Sequence, residues 1–152
     1  MGLIKKIGII IISIFIIYIA GSFLLVGLGY DLNEDHYLND THFRVQDLDD
    51  ISYNYEKNNN TLIINFEEFN GLETTNTGTL YIHSVKSYND FLKQTDNPKN
   101  ITTRKIGNTT VKTVTTPTNI YDYFTKNGKN FYFEYSNPNI WIYLDLVELI
   151  QS

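Results

Sequence analysis

Cysteine is absent from the sequence, and this absence excludes a disulfide framework and any lipid attached through a cysteine thiol. The short catalytic signatures are missing too: there is no nucleophile elbow, HExxH motif, P-loop or dinucleotide-binding glycine pattern. An enzyme is therefore disfavoured, although an acid–base pair assembled from distant strands would leave no such signature. Basic residues are in the minority, with 12 Lys and Arg against 17 Asp and Glu, which argues against nucleic acid as a partner.

A long uncharged run, Ile7–Gly29, contains 23 residues. As an α-helix it would be about 34 Å long, enough to cross the ~30 Å hydrocarbon core of a bilayer. Lys5 and Lys6 precede this run and every acidic residue follows it, which predicts a cytoplasmic N-terminus and an external C-terminal part. We therefore predict a single-pass protein of the cell membrane that contacts lipid through Ile7–Gly29. The alternative is a cleaved signal peptide, since Ala20-Gly21-Ser22 is a plausible cleavage site.

Residues 30–41 are polar and acidic and lack any hydrophobic periodicity, so we interpret them as a linker. The remainder, residues 42–152, is long enough for one folded domain with a single core. The sequence thus predicts three parts: an anchor (1–29), an acidic linker (30–41) and an extracytoplasmic domain (42–152).

Carboxylate and imidazole side chains cluster around the linker, at Asp31, Asp35, His36 and His42. Asp31 and Asp35 fall on ligand positions of a calcium loop, but His36 replaces the required glycine and His42 replaces the bidentate acid. A loose Ca²⁺ or Zn²⁺ site is the functional hypothesis for these four residues. The alternative is a solvated linker, and we predict no cofactor.

The domain alternates short runs of β-forming residues with turn residues, about every ten positions. Two segments depart from this pattern and predict helices. The first, Ser87–Thr95, has Ser87 as its N-cap. The second follows Asn137-Pro138 and carries the apolar stripe Ile140, Leu144, Val147 and Ile150. The pattern predicts an α+β domain, an antiparallel sheet of about six to eight strands with both helices packed on one face.

The clearest local signal is the hairpin within residues 120–135. Asn127-Gly128 is the preferred pair for a two-residue type I′ turn, because both positions need positive φ. This turn places Phe124 opposite Phe131 and divides the hairpin side chains between two faces. One face is expected to be buried. The other face carries the candidate partner-binding residues Tyr121, Tyr123 and Tyr132.

The layout from Phe43 onward combines hairpins, a strand that leads into a helix, the tyrosine-rich hairpin with Lys126-Asn127-Gly128-Lys129, and a terminal helix that ends at Leu149-Ile150-Gln151-Ser152. It resembles short membrane-anchored proteins of methanogenic archaea, whose layout is similar to the PsbP-like α+β fold. The resemblance covers about the last 110 residues. It implies the fold but no activity, and it transfers no functional residue.

Two functions remain open from the sequence. The first is a binding or assembly module that contacts an envelope or membrane partner, supported by the predicted anchor and the aromatic hairpin. The alternative is a small anchored hydrolase, either metal-dependent through the Asp31–His42 cluster or dependent on acid–base chemistry at His83. His83 is otherwise expected to be a structural or surface residue, on the side of its strand opposite Leu80 and Ile82.

Overall fold

The computed structural model describes residues 34–152 and consists mostly of β-sheet, with 56% of residues in strands. The chain forms nine strands, two short α-helices and one 3₁₀ turn over this range. In order these are β1 (Glu34–Leu38), β2 (Thr41–Val45), β3 (Ile51–Asn58), β4 (Thr61–Asn70), β5 (Glu73–Val85), α1 (Tyr88–Gln94), β6 (Thr102–Ile106), β7 (Thr109–Thr115), β8 (Ile120–Lys126), β9 (Lys129–Tyr135), the 3₁₀ turn (Ile140–Ile142) and α2 (Leu146–Gln151).

Seven strands form one antiparallel sheet in the order β3-β4-β5-β9-β8-β7-β6, and β1 and β2 form a separate two-stranded sheet. The predicted α+β class is wrong, because the two helices have only seven and six residues and most of the described chain is strand. The residues that form α-helices in the structure are too few to make a layer over the sheet. A long strand, β5, joins the two halves of the sheet by pairing with both β4 and β9.

The predicted single-pass membrane location is not supported. None of the helices in residues 34–152 is both long enough and apolar enough to cross a bilayer. The run predicted as the membrane anchor, Ile7–Gly29, lies outside the described residues, and so does the alternative cleavage site at Ala20-Gly21-Ser22.

The predicted linker region contributes strand β1 to the folded domain. β1 pairs with β2 in an antiparallel hairpin, in which His36 lies opposite Phe43. Leu38, Phe43 and Val45 are buried in the main core, where the Phe43 ring meets the Phe131 ring edge-on at 5.1 Å. The expected domain start at His42 therefore falls inside this hairpin.

The two helices lie on opposite faces of the sheet, so the prediction that they share one face is wrong. α2 buries Leu146, Leu149 and Ile150 in the main core, which we call the core face. α1 packs Phe91 against Tyr132 on the other face, where a smaller cluster forms. We call this second face the outer face. Successive strand side chains point to opposite faces, so the face of each helix depends on which strand residues it meets.

The hairpin of β8 and β9 has the predicted turn and register. Asn127 and Gly128 have φ values of 51° and 73°, as a type I′ turn requires. Phe124 pairs with Phe131 and Tyr123 pairs with Tyr132. Ser87 is also the N-cap of α1 as predicted, since its Oγ accepts a hydrogen bond from the N–H of Asp90.

The terminal helix starts later than predicted. Asp145, not Asn137, is its N-cap and accepts hydrogen bonds from the N–H groups of Val147 and Glu148. The later start changes the phase of the helix, so Leu146 and Leu149 face the core and Val147 is 41% exposed. The predicted stripe is therefore wrong at Val147, although the helix does cover the core.

Candidate functional site

Strand β5 extends well beyond its partner β9. Of its 13 residues, only Tyr81–Val85 pair with β9, so on that side Glu73–Leu80 has no neighbouring strand within residues 34–152. The N–H of Ser84 donates to the carbonyl of Asn60 in the turn before β4, at 2.8 Å. Because backbone amides alternate in direction along a strand, those of Thr77 and Thr79 point away from β4, toward the unoccupied side.

This free edge differs from the two outer edges of the sheet. Glu56 and Lys57 lie on the outer strand β3, and Arg104 and Lys105 lie on the outer strand β6. Charged side chains, lysine above all, oppose the addition of another strand. Between Thr74 and Leu80, β5 carries no charged residue and no proline. The β4–β5 register shifts between Glu68 and Phe69, where Thr75 of β5 has no paired residue, and this leaves Asn76–Leu80 as the regular stretch of the free edge.

A groove of about 510 Å³ lies beside this edge. It is lined by residues of β5, of β9, of the loop before β8 and of the segment after β9: Gly78, Thr79, Tyr81, His83, Asn119, Glu134, Tyr135 and Ser136. We refer to the Asn76–Leu80 edge and this groove together as the β5 notch. Glycine is required at position 78, because a Cβ there would clash with the buried ring of Phe66 on the core face.

His83 and Glu134 form the polar centre of the notch. Oε2 of Glu134 lies 3.1 Å from Nε2 of His83, and Oγ1 of Thr61 lies 3.0 Å from Nδ1 of the same ring. The amide of Asn119 and the hydroxyl of Tyr121 donate to Oε1 of Glu134, at 2.9 and 3.4 Å. The hydrogen bond from His83 lowers the pKa of Glu134, and the two other donors add to this effect. Glu134 is therefore a fixed carboxylate at neutral pH.

His83 is contacted on both sides of its ring. Nδ1 lies 3.0 Å from Oγ1 of Thr61 and Nε2 lies 3.1 Å from Oε2 of Glu134, an order of hydroxyl, imidazole and carboxylate that a general base also uses. Thr61 does not line the groove, and Thr79, which does, donates to Oδ1 of Asn65 at 2.7 Å. The site presents the negative charge of Glu134 in a fixed position, beside a strand edge that has no partner in residues 34–152.

Of the three tyrosines predicted to bind a partner, only Tyr121 reaches the notch, where it donates to Glu134. Tyr123 lies beneath α1, with its ring centroid 5.0 Å from that of Tyr88. Tyr132 is 6% exposed, and burial raises its pKa to about 12. The helix thus covers most of the predicted contact surface, and partner binding by these tyrosines stays a prediction.

Tyr81 is the aromatic residue of the notch that the sequence reasoning did not select. Its ring stacks on His83 with centroids 6.0 Å apart, and its side chain is 37% exposed. The alternation of Leu80 and Ile82 with Tyr81 and His83 places these two rings on the outer face. No pattern in the sequence around Tyr81 indicates that the pairing with β9 ends beside this residue and leaves its ring accessible.

The predicted metal ligands do not converge within the described part of the chain. Nε2 of His42 lies within hydrogen-bond distance of Oδ1 of Asp35, at 2.7 Å, and both side chains are partly exposed. His36 points to the other side of β1, where its ring stacks on Tyr55 at 4.0 Å. No group of three or more candidate ligands occurs in residues 34–152, and Asp31 lies outside the described residues.

A buried carboxylate on the core face also escaped the sequence reasoning. Asp122 is fully buried and accepts hydrogen bonds from Arg104, from Thr113 Oγ1 at 2.6 Å and from the Tyr135 hydroxyl at 2.6 Å. The sequence could have indicated its burial, since Asp122 lies between Ile120 and Phe124 at the two-residue spacing of one strand face. These partners satisfy the carboxylate, so we interpret Asp122 as a structural group.

Comparison of the chain with family models, with curated proteins and with solved structures finds no match. The resemblance to membrane-anchored archaeal proteins therefore stays a prediction.

Proposed function

We propose that this domain is a binding module that accepts an extended peptide segment as an additional strand on the free edge of β5. The observation that carries the proposal is the difference in length between β5 and β9, which leaves the outward-facing amides of Thr77 and Thr79 without a strand partner. Peptide recognition by strand addition uses main-chain hydrogen bonds for affinity and the alternate side chains for specificity.

The surroundings of the edge support this binding mode. The groove gives an added strand space in line with β9, between Thr79 on one side and Ser136 on the other. Tyr81 offers an exposed ring next to that path, and aromatic residues are enriched where proteins bind one another. A hydrolase at His83 stays a prediction and is not the function proposed, because the hydroxyl that contacts its ring, Oγ1 of Thr61, does not line the groove.

A display library of random seven-residue peptides tests the proposal with the full chain. Enriched peptides should slow backbone hydrogen exchange at Thr77 and Thr79, whose amides face the notch, more than at Asn76 and Gly78, whose amides face β4. If enriched peptides leave the exchange of Thr77 and Thr79 unchanged, they bind elsewhere and strand addition is wrong.

A matched pair of variants separates backbone recognition from side-chain effects. Thr77→Pro removes the outward N–H while leaving the bonds to β4 in place, because proline is tolerated at the solvent side of an edge strand. We expect this variant to lose peptide binding at least tenfold. Thr77→Val keeps the N–H and a β-branched side chain, so its affinity should stay within about twofold. Equal affinities for the two variants would contradict a strand-addition mode.

A further inference from the structure

The face of the sheet beside the notch carries carboxylates without basic partners. Glu67 lies opposite Thr77 in the β4–β5 register, and Glu56 lies in the same cross-strand row as Ile63, Tyr81 and Glu134. Neither Glu56 nor Glu67 makes an ion pair or side-chain hydrogen bond within residues 34–152. β4 and β5 contain no lysine or arginine at all. The outer face is therefore negatively charged beside the free edge.

The geometry brings this charge within reach of an added strand. A residue placed opposite Thr79 would be two positions along from Glu134, in line with β9 and on the same face. A residue placed opposite Thr77 would be separated from Glu67 by two strand spacings, about 10 Å. Lysine and arginine side chains can extend over that surface toward both carboxylates.

A second copy of this chain fits the edge less well than a cationic peptide. Two β5 edges paired with each other would place the Glu67 side chains of both copies on one face, three strand spacings or about 14 Å apart, with no lysine or arginine of β4 or β5 between them. The charge of Glu67 and Glu134 also attracts a basic partner during its approach, since complementary potentials steer association.

We infer that the partner strand of the β5 notch is cationic, with lysine or arginine at alternate positions that face the outer face of the sheet. This inference rests on the proposed function, because it needs a strand to be added at the notch. It specifies that Glu67 and Glu134 select the partner's charge, while the amides of Thr77 and Thr79 hold its backbone.

The test uses two synthetic seven-residue peptides against the full chain. One alternates lysine with valine, and the other has glutamate in place of each lysine. We expect the lysine peptide to bind at least tenfold more tightly and to slow hydrogen exchange at Thr77 and Thr79. Its affinity should fall several-fold between 50 mM and 500 mM salt, because salt screens exposed charges.

Two charge-matched variants locate the effect. Glu67→Gln should weaken binding of the lysine peptide by about two- to fivefold, the range expected for one exposed ion pair. Asp96→Asn makes the same change in net charge in the loop after α1, where Asp96 has a φ of 56° that asparagine also adopts. This control should bind the lysine peptide like the unaltered chain.

The possible results separate this inference from the proposed function. If both peptides slow exchange at Thr77 and Thr79 with equal affinity, the cationic preference is overturned and strand addition stands. If neither these peptides nor library peptides slow that exchange, both proposals fail. If light scattering shows a dimer whose Thr77 and Thr79 amides are protected without peptide, the occupant is a second copy and the inference is overturned.

Discussion

The two faces of the sheet differ in the aromatic residues of the β8–β9 hairpin: apart from Tyr135, the core face carries phenylalanines, whereas the outer face carries tyrosines. The core face buries phenylalanines, with Phe66, Phe124, Phe131 and Phe133 at most 1% exposed. The outer face uses tyrosines, whose hydroxyl groups reach polar partners: Tyr123 donates to Asn130 and Tyr132 donates to Gln94. A tyrosine can pack its ring while its hydroxyl stays hydrated or bonded. The outer face can therefore end as an accessible site where α1 stops, which a phenylalanine face could not do without exposing an apolar patch.

Phe133→Ala should show the largest difference between the faces. Phe133 is fully buried, and its ring lies 4.7 Å from that of Phe124, so removal leaves a cavity that costs about 3–5 kcal/mol. Urea unfolding of the full chain measures this change. Tyr81→Ala on the outer face is the control and should cost less than about 1 kcal/mol, because the ring is partly exposed. Similar losses for the two variants would mean that the faces do not differ in packing.

Asp122→Ala should have the next largest effect, since it breaks a buried ion pair and leaves Arg104 and Tyr135 without their acceptor. Loss of one member of such a pair costs about 3–5 kcal/mol, and the partial exposure of Arg104 places this case near the lower end. Thermal or urea unfolding measures it. The double variant Asp122→Leu with Arg104→Met removes both charges and should be more stable than Asp122→Ala alone.

The buried ammonium group of Lys126, on the core face, should make the free energy of unfolding depend on pH. Its ammonium group donates to the Leu149 carbonyl at 2.9 Å and to Ser152 at 3.0 Å, and burial lowers its pKa to about 8 from 10.5. Below pH 8 the lysine is protonated in both the folded and the unfolded chain, so burial of its positive charge lowers the free energy of unfolding by the full amount. As the pH rises from 8 to 10, the folded state loses its proton first and the free energy of unfolding should rise by up to about 1.4 kcal/mol per pH unit.

Lys126→Met removes this titration and serves as the reference for the pH experiment. Its free energy of unfolding, measured in urea, should lack the rise between pH 8 and 10. The measurement should stop near pH 10, because tyrosines such as Tyr53, with a pKa raised to about 12 by burial, then destabilise the folded state as the unfolded ones ionise. Parallel curves for the variant and the unaltered chain would contradict the assignment to Lys126.

Gly128→Ala should have the smallest effect of the four. Outside Gly128 and its two chain neighbours, no heavy atom lies within 4 Å of the position that the Cβ would occupy. Only the φ of 73° is therefore penalised, by about 1–2 kcal/mol. Urea unfolding again gives the change. Gly128→Asn should cost less, because asparagine adopts positive φ more readily. Equal stability of glycine and alanine at this position would show that the turn does not require positive φ.

Local features of the fold were predictable because short segments determine them. Asn127-Gly128 specifies a tight turn by itself, and the turn then fixes which residues of β8 and β9 are paired. Ser87 caps α1 through a contact three residues away. The apolar pattern around Val147 was misleading for the opposite reason: it fits a helix from Ile140, but the chain breaks that helix at Asp145, and the new phase moves Val147 outward.

Features that depend on contacts between segments distant in sequence could not be predicted from local patterns. The placement of α1 and α2 on opposite faces depends on the strand order, which places β9 between its sequence neighbour β8 and the distant strand β5. The β5 notch depends on where β9 stops relative to β5, a difference in length between two segments that no pattern within either of them records. The position of Asp122 was partly predictable. Its spacing from Ile120 and Phe124 indicated the buried face of β8, but its partner Arg104 lies on another strand and could not be predicted.

The pairing of β5 with β9 has a consequence for how the chain reaches its folded state. Every other pair of neighbouring strands is consecutive in sequence, whereas this junction joins Val85 to Asn130 and Tyr81 to Glu134, 45 and 53 residues apart. Closing so long a loop costs chain entropy before any contact compensates it. The hairpins on either side can therefore assemble early and independently. The junction should set the folding rate, and substitutions at Ile82 or Phe133 should slow refolding more than substitutions within the β6–β7 hairpin.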